Sequence, residues 1–214
     1  PLILVATPEP PRMTMPPFPA RPARRLAFAW FVAVVAPLVG APAPALEPIP
    51  DRLVVLTFDD AARSHYEVAR PILAARGFGA TFFISEGWDF ATNKKDYMTW
   101  EQIRALHDAG FEIGNHTLGH TALADKPALE GLAAQVEAIA DRCRGHGIPA
   151  PTSFAYPGNF IVPEALPILS AAGIRFARRG GAPEFPYEEG RGTAYEPGLD
   201  HPLLIPSAGD ARPV

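Results

Sequence analysis

The sequence has one cysteine, Cys143, and its longest apolar run is short. A single cysteine excludes an intrachain disulfide, so the fold must depend on its hydrophobic core. The apolar run, residues 26–39, has 14 residues and contains Pro37, whereas a membrane-spanning helix needs about 20. No internal repeat is visible, and no glycine-rich phosphate loop follows the first predicted strand. A repeat architecture and a dinucleotide-binding fold are therefore disfavoured.

Proline is unevenly distributed along the chain. Residues 1–50 carry 13 of the 26 prolines, which argues against packed structure there. Three arginines closely precede the apolar run 26–39, and a stretch of alanine and proline follows it. This order predicts a secretory signal peptide over residues 1–45, a linker over residues 46–51, and export to the periplasm or the extracellular medium. A membrane anchor is the alternative, but the run is too short for one, so we expect no stable membrane span after cleavage.

The rest of the chain is acidic. Residues 46–214 carry 15 basic and 22 acidic side chains, a formal net charge of −7. Nucleic acids and anionic membranes attract basic surfaces, so neither is an expected partner. Cys143 continues an apolar series at steps of three and four, which predicts a buried position on a helix. Nothing in the sequence indicates the oligomeric state.

From residue 52 onward, strand-like and helix-like segments alternate. Strands joined by single helices need right-handed crossovers and form a parallel sheet. Two fold classes fit this pattern, an open doubly wound sheet and a (β/α) barrel. Polar groups at the ends of several strands favour the barrel. A long ordered loop is expected over residues 178–202. The predicted strands are residues 53–58, 80–84, 111–115, 153–156, 174–177 and 203–205, and the predicted helices are residues 67–76, 99–110, 129–144 and 164–172.

Four polar side chains follow two of these strands. Asp59 and Asp60 come directly after the first strand, and His116 and His120 follow the third. One carboxylate and two imidazoles are a ligand set for a catalytic divalent metal that keeps one position open for water. We therefore predict Asp60, His116 and His120 as ligands of a divalent metal. The remaining carboxylate, Asp59, is the natural base to take a proton from the water.

Each half of this pattern also has an ordinary structural interpretation. An Asp-Asp pair after a strand is often a helix cap beside a solvated turn residue. Two histidines four residues apart are often unliganded on a surface helix. Gly114 and Gly119 argue against a continuous helix here, which places the histidines on a loop between a strand and a helix. The joint occurrence of both pairs after parallel strands favours the metal site.

Three segments resemble the polysaccharide deacetylases with a NodB homology domain, also grouped as carbohydrate esterase family 4. The resemblance spans about residues 52–206 and rests on residues 57–60, 80–84 and 110–120. It implies a distorted (β/α)7 barrel that removes N-acetyl groups from an amino-sugar polymer such as peptidoglycan, a chitin-like chain or an exopolysaccharide. The same family uses the equivalents of Asp59 as base and of Asp60, His116 and His120 as ligands. Its metal is usually zinc and sometimes cobalt or another divalent ion.

A further family segment departs from the usual pattern. The family often has an arginine, which orients the base, where this chain has Ala155. We hypothesise that Arg178 or Arg179, which leave the fifth strand, replaces it. A glycine that usually follows the Asp pair is Ala61 here, which we expect to disfavour a positive φ at that position.

The residues after Ala155 are candidates for contact with the substrate. Tyr156, Pro157 and Gly158 match the family segment whose loop supplies an oxyanion donor, and the backbone N–H near Gly158 is the best candidate. An ordinary turn explains the same residues equally well. Trp88 and Tyr97, together with Tyr187, are candidates for stacking on sugar rings, although each is also compatible with simple packing.

The family's general acid, a histidine after a late strand, has no match. His201 precedes the last predicted strand, which should place it at the opposite end of the barrel, and His65 is expected at a helix start facing solvent. We therefore expect residues 52–214 to be a C-terminally truncated NodB-like domain, an incomplete barrel with weak or no activity. Two alternatives stay open: a non-catalytic carbohydrate-binding relative that retains the metal site, and a metal-dependent amidohydrolase of small amides.

Overall fold

The computed structural model describes residues 53–180, 195, 197–198 and 200–207. The predicted signal peptide and linker lie outside the described residues. So do Tyr187 and most of the loop predicted over residues 178–202. Within the described ranges, no helix is both long enough and apolar enough to span a membrane.

The core of the fold is a curled parallel sheet, a half-barrel whose strands follow one another in chain order. Every neighbouring pair of strands is parallel, as the alternation of strands and helices predicts. The α/β class and the incomplete NodB-type barrel are therefore confirmed. The strands are β1 (Thr57–Phe58), β2 (Thr81–Ile84), β3 (Glu112–Asn115), β4 (Ser153–Ala155) and β5 (Phe176–Arg178).

The first and the last predicted strands are shorter than expected. Residues 53–56 lie outside β1, and the side chains of Val54 and Val55 are 75% and 70% exposed. In the described part of the chain β1 is the edge strand of the sheet, so only its pairing with β2 holds it. The predicted strand 203–205 is a single parallel bridge between Ile205 and Arg178. Prolines on both sides of this segment limit further pairing.

Helices connect the strands close to their predicted positions. The predicted capping box opens α2, because the Thr99 hydroxyl accepts from the Gln102 N–H at 3.2 Å and the Thr99 N–H donates to Gln102 Oε1 at 2.9 Å. The third helix begins earlier than predicted because Asp125 caps it through the Ala128 N–H. The helices are α1 (Arg70–Arg76), α2 (Trp100–Asp108), α3 (Lys126–Gly145) and α4 (Ala165–Ala171).

A π-helix over His65–Ala69 precedes α1 and follows the Asp pair closely. The Arg70 N–H donates to the His65 carbonyl, five residues earlier. Pro71 has no N–H and lies in the first turn of α1, where proline is tolerated. A π turn has more residues than an α turn, so it breaks the regular helical spacing before α1. His65 therefore does not lie on the face of the helix that a continuous α-helix would predict.

Two clusters of buried apolar residues lie against the sheet. One contains Phe82, Met98 and Ile103, and the other contains Leu132 and Phe154. All four residues of β2 are buried, as expected for a parallel strand that is covered on both faces. Cys143 belongs to the first cluster and is fully buried, which confirms its predicted core position. Burial raises the pKa of its thiol to about 12.

Candidate active site

The polar side chains singled out by the sequence meet at the carboxyl ends of the strands. Asp59 and Asp60 follow β1, and His116 follows β3 directly. Arg178 is the last residue of β5. Because all strands are parallel, these chain positions fall at one edge of the sheet.

Asp60, His116 and His120 form a cluster with the geometry of a metal site. Asp60 Oδ1 lies 3.4 Å from His116 Nε2 and 3.3 Å from His120 Nε2. One ligand atom from each residue lies within 4.8 Å of the other two. Tetrahedral ligands at ordinary zinc distances are separated by about 3.3–3.5 Å, so both distances from Asp60 Oδ1 fit a bound ion. Asp60 Oδ1 is buried and accepts no hydrogen bond from the described residues, which leaves it available as a ligand.

His116 is held in the tautomer that a metal needs. Its Nδ1 lies 2.7 Å from the carbonyl oxygen of Ala155, and its side chain is 2% exposed. A carbonyl can only accept, so Nδ1 carries a proton, and in the neutral imidazole Nε2 then presents a lone pair. Ala155 occupies the position where the resembled family often has an arginine, and here its backbone carbonyl orients a predicted ligand.

The turn that carries Asp60 is strained. Asp60 has a φ of 71° and Ala61 a φ of 54°, both in the left-handed region that non-glycine residues rarely adopt. The expectation that Ala61 avoids a positive φ is therefore wrong. Full burial of Ala61 and a hydrogen bond from the Met98 N–H to its carbonyl, at 2.9 Å, hold this conformation. Strain of this kind persists where the surroundings over-determine it, which is common at functional sites.

The loop that carries His116 and His120 is hydrogen-bonded to helix α3. The Asn115 side chain accepts from the Thr117 N–H at 3.0 Å and donates to the Val136 carbonyl at 2.8 Å. Gln135 accepts from the Gly119 N–H at 2.8 Å. Thr117 and His120 also have left-handed φ values, of 60° and 51°. The histidines are thus held in place before any ion binds.

Asp59 pairs with one of the two predicted arginines. Arg178 Nη2 donates to Asp59 Oδ2 at 2.5 Å. Asp59 Oδ2 lies 4.0 Å from His116 Nε2, and Asp59 Oδ1 accepts no hydrogen bond from the described residues. Arg179 has no part in this pairing: it is fully buried and donates to the carbonyls of Leu204 and Gly180, both at 3.1 Å.

The segment predicted to contact the substrate follows β4 at the same edge. The Tyr156 side chain is 1% exposed, and its hydroxyl donates to the Leu203 carbonyl at 2.9 Å, so the phenol belongs to the core. Pro157 is buried at the start of a short 3₁₀ turn, and Gly158 is exposed with a φ of 63°. A contact with substrate from these residues would therefore come from the exposed backbone around Gly158.

His65 begins a helical turn, as predicted, but its side chain does not face solvent. It is half-buried, with its ring 5.2 Å from the ring of Phe58 and 6.0 Å from that of Phe82. Burial lowers the pKa of His65, and the charges of Asp59 and Asp60 oppose this shift. The spacing of apolar residues does not predict the burial of His65, because the π turn interrupts the regular helical period. His201, as expected, lies elsewhere, beside the start of β5.

The pKa values of two predicted ligands, His120 and Asp60, are both lowered in the fold. Burial and the neighbouring His116 lower the pKa of His120, against the effect of the two carboxylates. Burial opposes ionisation of Asp60, but the facing imidazoles outweigh it and lower the pKa of this carboxyl. A neutral imidazole and an ionised carboxylate are the forms that bind metal.

The loop between β2 and α2, residues 86–98, passes against His120. A Cβ added to Gly87 would lie 2.8 Å from the Cβ of His120, so only glycine permits this approach. The next residue, Trp88, places its ring 4.4 Å from the His120 ring. Tyr97 lies at the other end of the loop, with its ring 6.4 Å from that of Trp88.

Comparison of the chain with known proteins indicates one family. The sequence profile described as polysaccharide deacetylase matches residues 47–177, more than half of the chain. YxkH of Bacillus subtilis (strain 168), a protein named as a polysaccharide deacetylase, is 32% identical over 73 residues. That segment covers 34% of this chain and 25% of YxkH. The chain therefore belongs to the polysaccharide deacetylase family, which confirms the resemblance seen in its motifs.

Solved structures agree with this fold. The Streptococcus pyogenes deacetylase PplD in complex with acetate is 21% identical with a TM-score of 0.54, and the likeness covers 62% of this chain and 58% of PplD. IcaB from Ammonifex degensii is 25% identical with a TM-score of 0.53, over 61% of each chain. The BpsB deacetylase domain from Bordetella bronchiseptica is 18% identical with a TM-score of 0.55, over 74% and 71%. This chain thus spans about a quarter of the curated relative and about three fifths of the first two structures.

Proposed function

We propose that this protein is an exported, metal-dependent hydrolase that removes N-acetyl groups from an amino-sugar polysaccharide. The single observation that carries the proposal is the convergence of Asp60, His116 and His120 beside a second carboxylate, Asp59, that is paired with Arg178. Membership of the polysaccharide deacetylase family and the names of its relatives support the substrate class. The apolar run and small residues near the start of the sequence support export.

Asp60, His116 and His120 are the residues that would hold the metal. Two imidazole nitrogens and one carboxylate oxygen suit zinc, and we propose zinc, with cobalt or another divalent ion as a substitute. A divalent ion in such a site polarises an amide carbonyl and makes a bound water more acidic. The protein's own contribution is the orientation of the ligands: the Ala155 carbonyl fixes the His116 tautomer, and Asn115 fixes the loop that carries both histidines.

Asp59 is placed to act as the general base. Arg178 occupies its Oδ2, and Oδ1 is the oxygen with no hydrogen bond from the described residues. Oδ1 can therefore accept a proton from a water held at the neighbouring ligand cluster. The arginine keeps the carboxylate oriented, a role that the family gives to a residue at the position of Ala155.

A candidate oxyanion donor follows β4 at the same edge of the sheet. We assign oxyanion stabilisation to the exposed backbone after β4, around Gly158, which follows the buried Tyr156 and Pro157. Backbone N–H groups suit this task because they need no reorganisation when charge develops on the carbonyl oxygen.

Acetate release tests the proposal directly. The full chain is loaded with zinc and incubated with N-acetylglucosamine tetramers, and acetate is measured with and without a chelator. We expect only weak zinc-dependent release, because no histidine matches the family's general acid, and Asp59→Asn should reduce it at unchanged zinc content. Tetramer binding without release would favour the non-catalytic carbohydrate-binding relative. Turnover of acetamide without turnover of any tetramer would favour an amidohydrolase of small amides.

A further inference from the structure

Trp88 is a large aromatic side chain left open to solvent beside the candidate metal site. It is 63% exposed, although one part of its indole packs 4.4 Å from the ring of His120, with 32° between the two planes. The ring of Tyr97 is nearly parallel to it, at 19°. Aromatic side chains beside a few converging polar groups are typical of ligand sites.

The loop that carries Trp88, residues 86–98, is fixed by interactions of its own. Lys94 lies over the Phe90 ring at 3.6 Å and donates to the Phe90 and Met98 carbonyls, the latter at 3.1 Å. Arg63, which lies outside the loop, donates to the Lys94 carbonyl at 3.1 Å. The loop therefore does not depend on a ligand for its shape.

The backbone of Trp88 is itself strained. Its φ of 56° lies in the left-handed region, which is unusual for a bulky residue. Such a conformation persists only where neighbouring contacts impose it, and packing alone does not explain it when most of the side chain is exposed. In this backbone conformation the indole lies against His120, where a ligand would meet it without first ordering the loop.

We propose that Trp88, supported by Tyr97, is a platform on which a pyranose ring of an N-acetylamino-sugar oligomer stacks beside the metal site. The inference rests on the proposed function, and it adds how that substrate is held. One face of a pyranose presents C–H groups that pack on an aromatic ring, while its hydroxyls stay in water. A ring stacked on Trp88 would neighbour the residue held at the Asp60, His116 and His120 cluster, so we expect oligomers to bind better than the monosaccharide.

The unmodified protein provides the first test. Indole N–H signals of the zinc-loaded full chain are recorded by NMR, with Trp88 assigned from Trp88→Phe. Tetramers of N-acetylglucosamine with β-1,4 and with β-1,6 linkages are added in separate titrations, and the monosaccharide in a third. At least one tetramer should shift the Trp88 signal. Trp100, whose indole donates to Glu86 at 2.6 Å, should not respond. A Trp88 signal that neither tetramer moves at millimolar concentration overturns the proposal.

Variants provide the second test, with zinc content and thermal melting measured for each. Trp88→Ala should weaken tetramer binding by roughly tenfold, and Trp88→Phe should restore most of the affinity because it retains an aromatic face. The matched control is Phe78→Ala, which removes another exposed aromatic ring (53% exposed) near the opposite end of β2. Wild-type affinity in Trp88→Ala overturns the platform.

Acetate release separates this inference from the proposed function. Tetramer binding that depends on Trp88, but without zinc-dependent acetate release, contradicts the hydrolase and supports the platform. Acetate release with the same KM in wild type and Trp88→Ala supports the hydrolase and contradicts the platform. The two proposals can therefore fail independently.

Discussion

Arg178 Nη2 lies 2.5 Å from Asp59 Oδ2, although the two residues are 119 positions apart in the chain. One residue follows the first strand and the other ends the fifth, so the curl of the sheet brings them together. The Arg178 side chain is 16% exposed and that of Asp59 is 33% exposed. Because the Arg178–Asp59 pair is partly buried, it orients the carboxylate more firmly than a fully exposed ion pair does.

Arg178→Ala should lower kcat for acetate release by about 10–100-fold, because groups that orient a reactive carboxylate are commonly worth that much. Zinc content should stay at the wild-type level, since Arg178 pairs with Asp59 and forms no hydrogen bond or ion pair with Asp60, His116 or His120. Arg175→Ala is the matched control, because this exposed arginine lies just before the start of β5. A wild-type kcat in Arg178→Ala would contradict the prediction that Arg178 orients Asp59.

Arg179→Ala should instead affect stability. Its buried guanidinium satisfies the carbonyls of Leu204 and Gly180, and the loss of a buried partner costs about 1–3 kcal/mol of unfolding free energy. Urea unfolding of the metal-free protein measures this loss. Activity per folded molecule should be retained. If Arg179→Ala lost activity while keeping wild-type stability, the division of roles between the two arginines would have to be reversed.

The sequence predicts which residues converge at the candidate site. It does not predict which arginine pairs with Asp59 or how deeply His65 is buried. Asp60, His116 and His120 were predicted to converge because side chains after parallel strands share one edge of a sheet. The choice between Arg178 and Arg179 was not predictable, because neighbouring residues of a strand point to opposite faces and the sequence does not show which face is inward. The position of His65 depends on a π turn, which has no regular sequence period.

Removal of a ligand should abolish tight metal binding. His116→Ala and His120→Ala each leave two of three protein ligands, so zinc bound after dialysis, measured by elemental analysis, should fall from about one ion per chain to near none. Zinc should also raise the melting temperature of the wild type, since a ligand at 100 times its Kd stabilises the folded state by about 2.7 kcal/mol. Neither variant should show this increase. His107→Ala, on α2, is the control for loss of a histidine.

Gly87→Ala should weaken zinc binding without contact to the ion. The added Cβ would lie 2.8 Å from the Cβ of His120, closer than packed atoms allow, so the histidine loop must shift. We expect a loss of about tenfold or more in zinc affinity. Gly131→Ala is the matched control: this glycine is inside α3, a new Cβ there meets nothing within 4 Å, and alanine favours a helix. Equal zinc affinities in the two variants would contradict the inference.

The stability of the metal-free protein should fall as the medium becomes acidic, and His65 should account for part of the fall. Burial lowers the pKa of His65 below 6.5 in the folded state, whereas the unfolded chain has the ordinary value. The unfolded state therefore binds the proton first as the pH decreases. The contribution is fully present above pH 6.5 and is lost as the pH falls through the folded-state pKa.

His65→Gln removes this titration and keeps a polar side chain of similar size. In urea unfolding with a chelator present, the free energy of unfolding should decrease less between pH 8 and pH 5 in the variant than in the wild type. The slope should not vanish, because burial and His116 also lower the pKa of His120. Parallel curves for the two proteins would show that His65 titrates alike in both states, and its packing against Phe58 and Phe82 would then not exclude water from the ring.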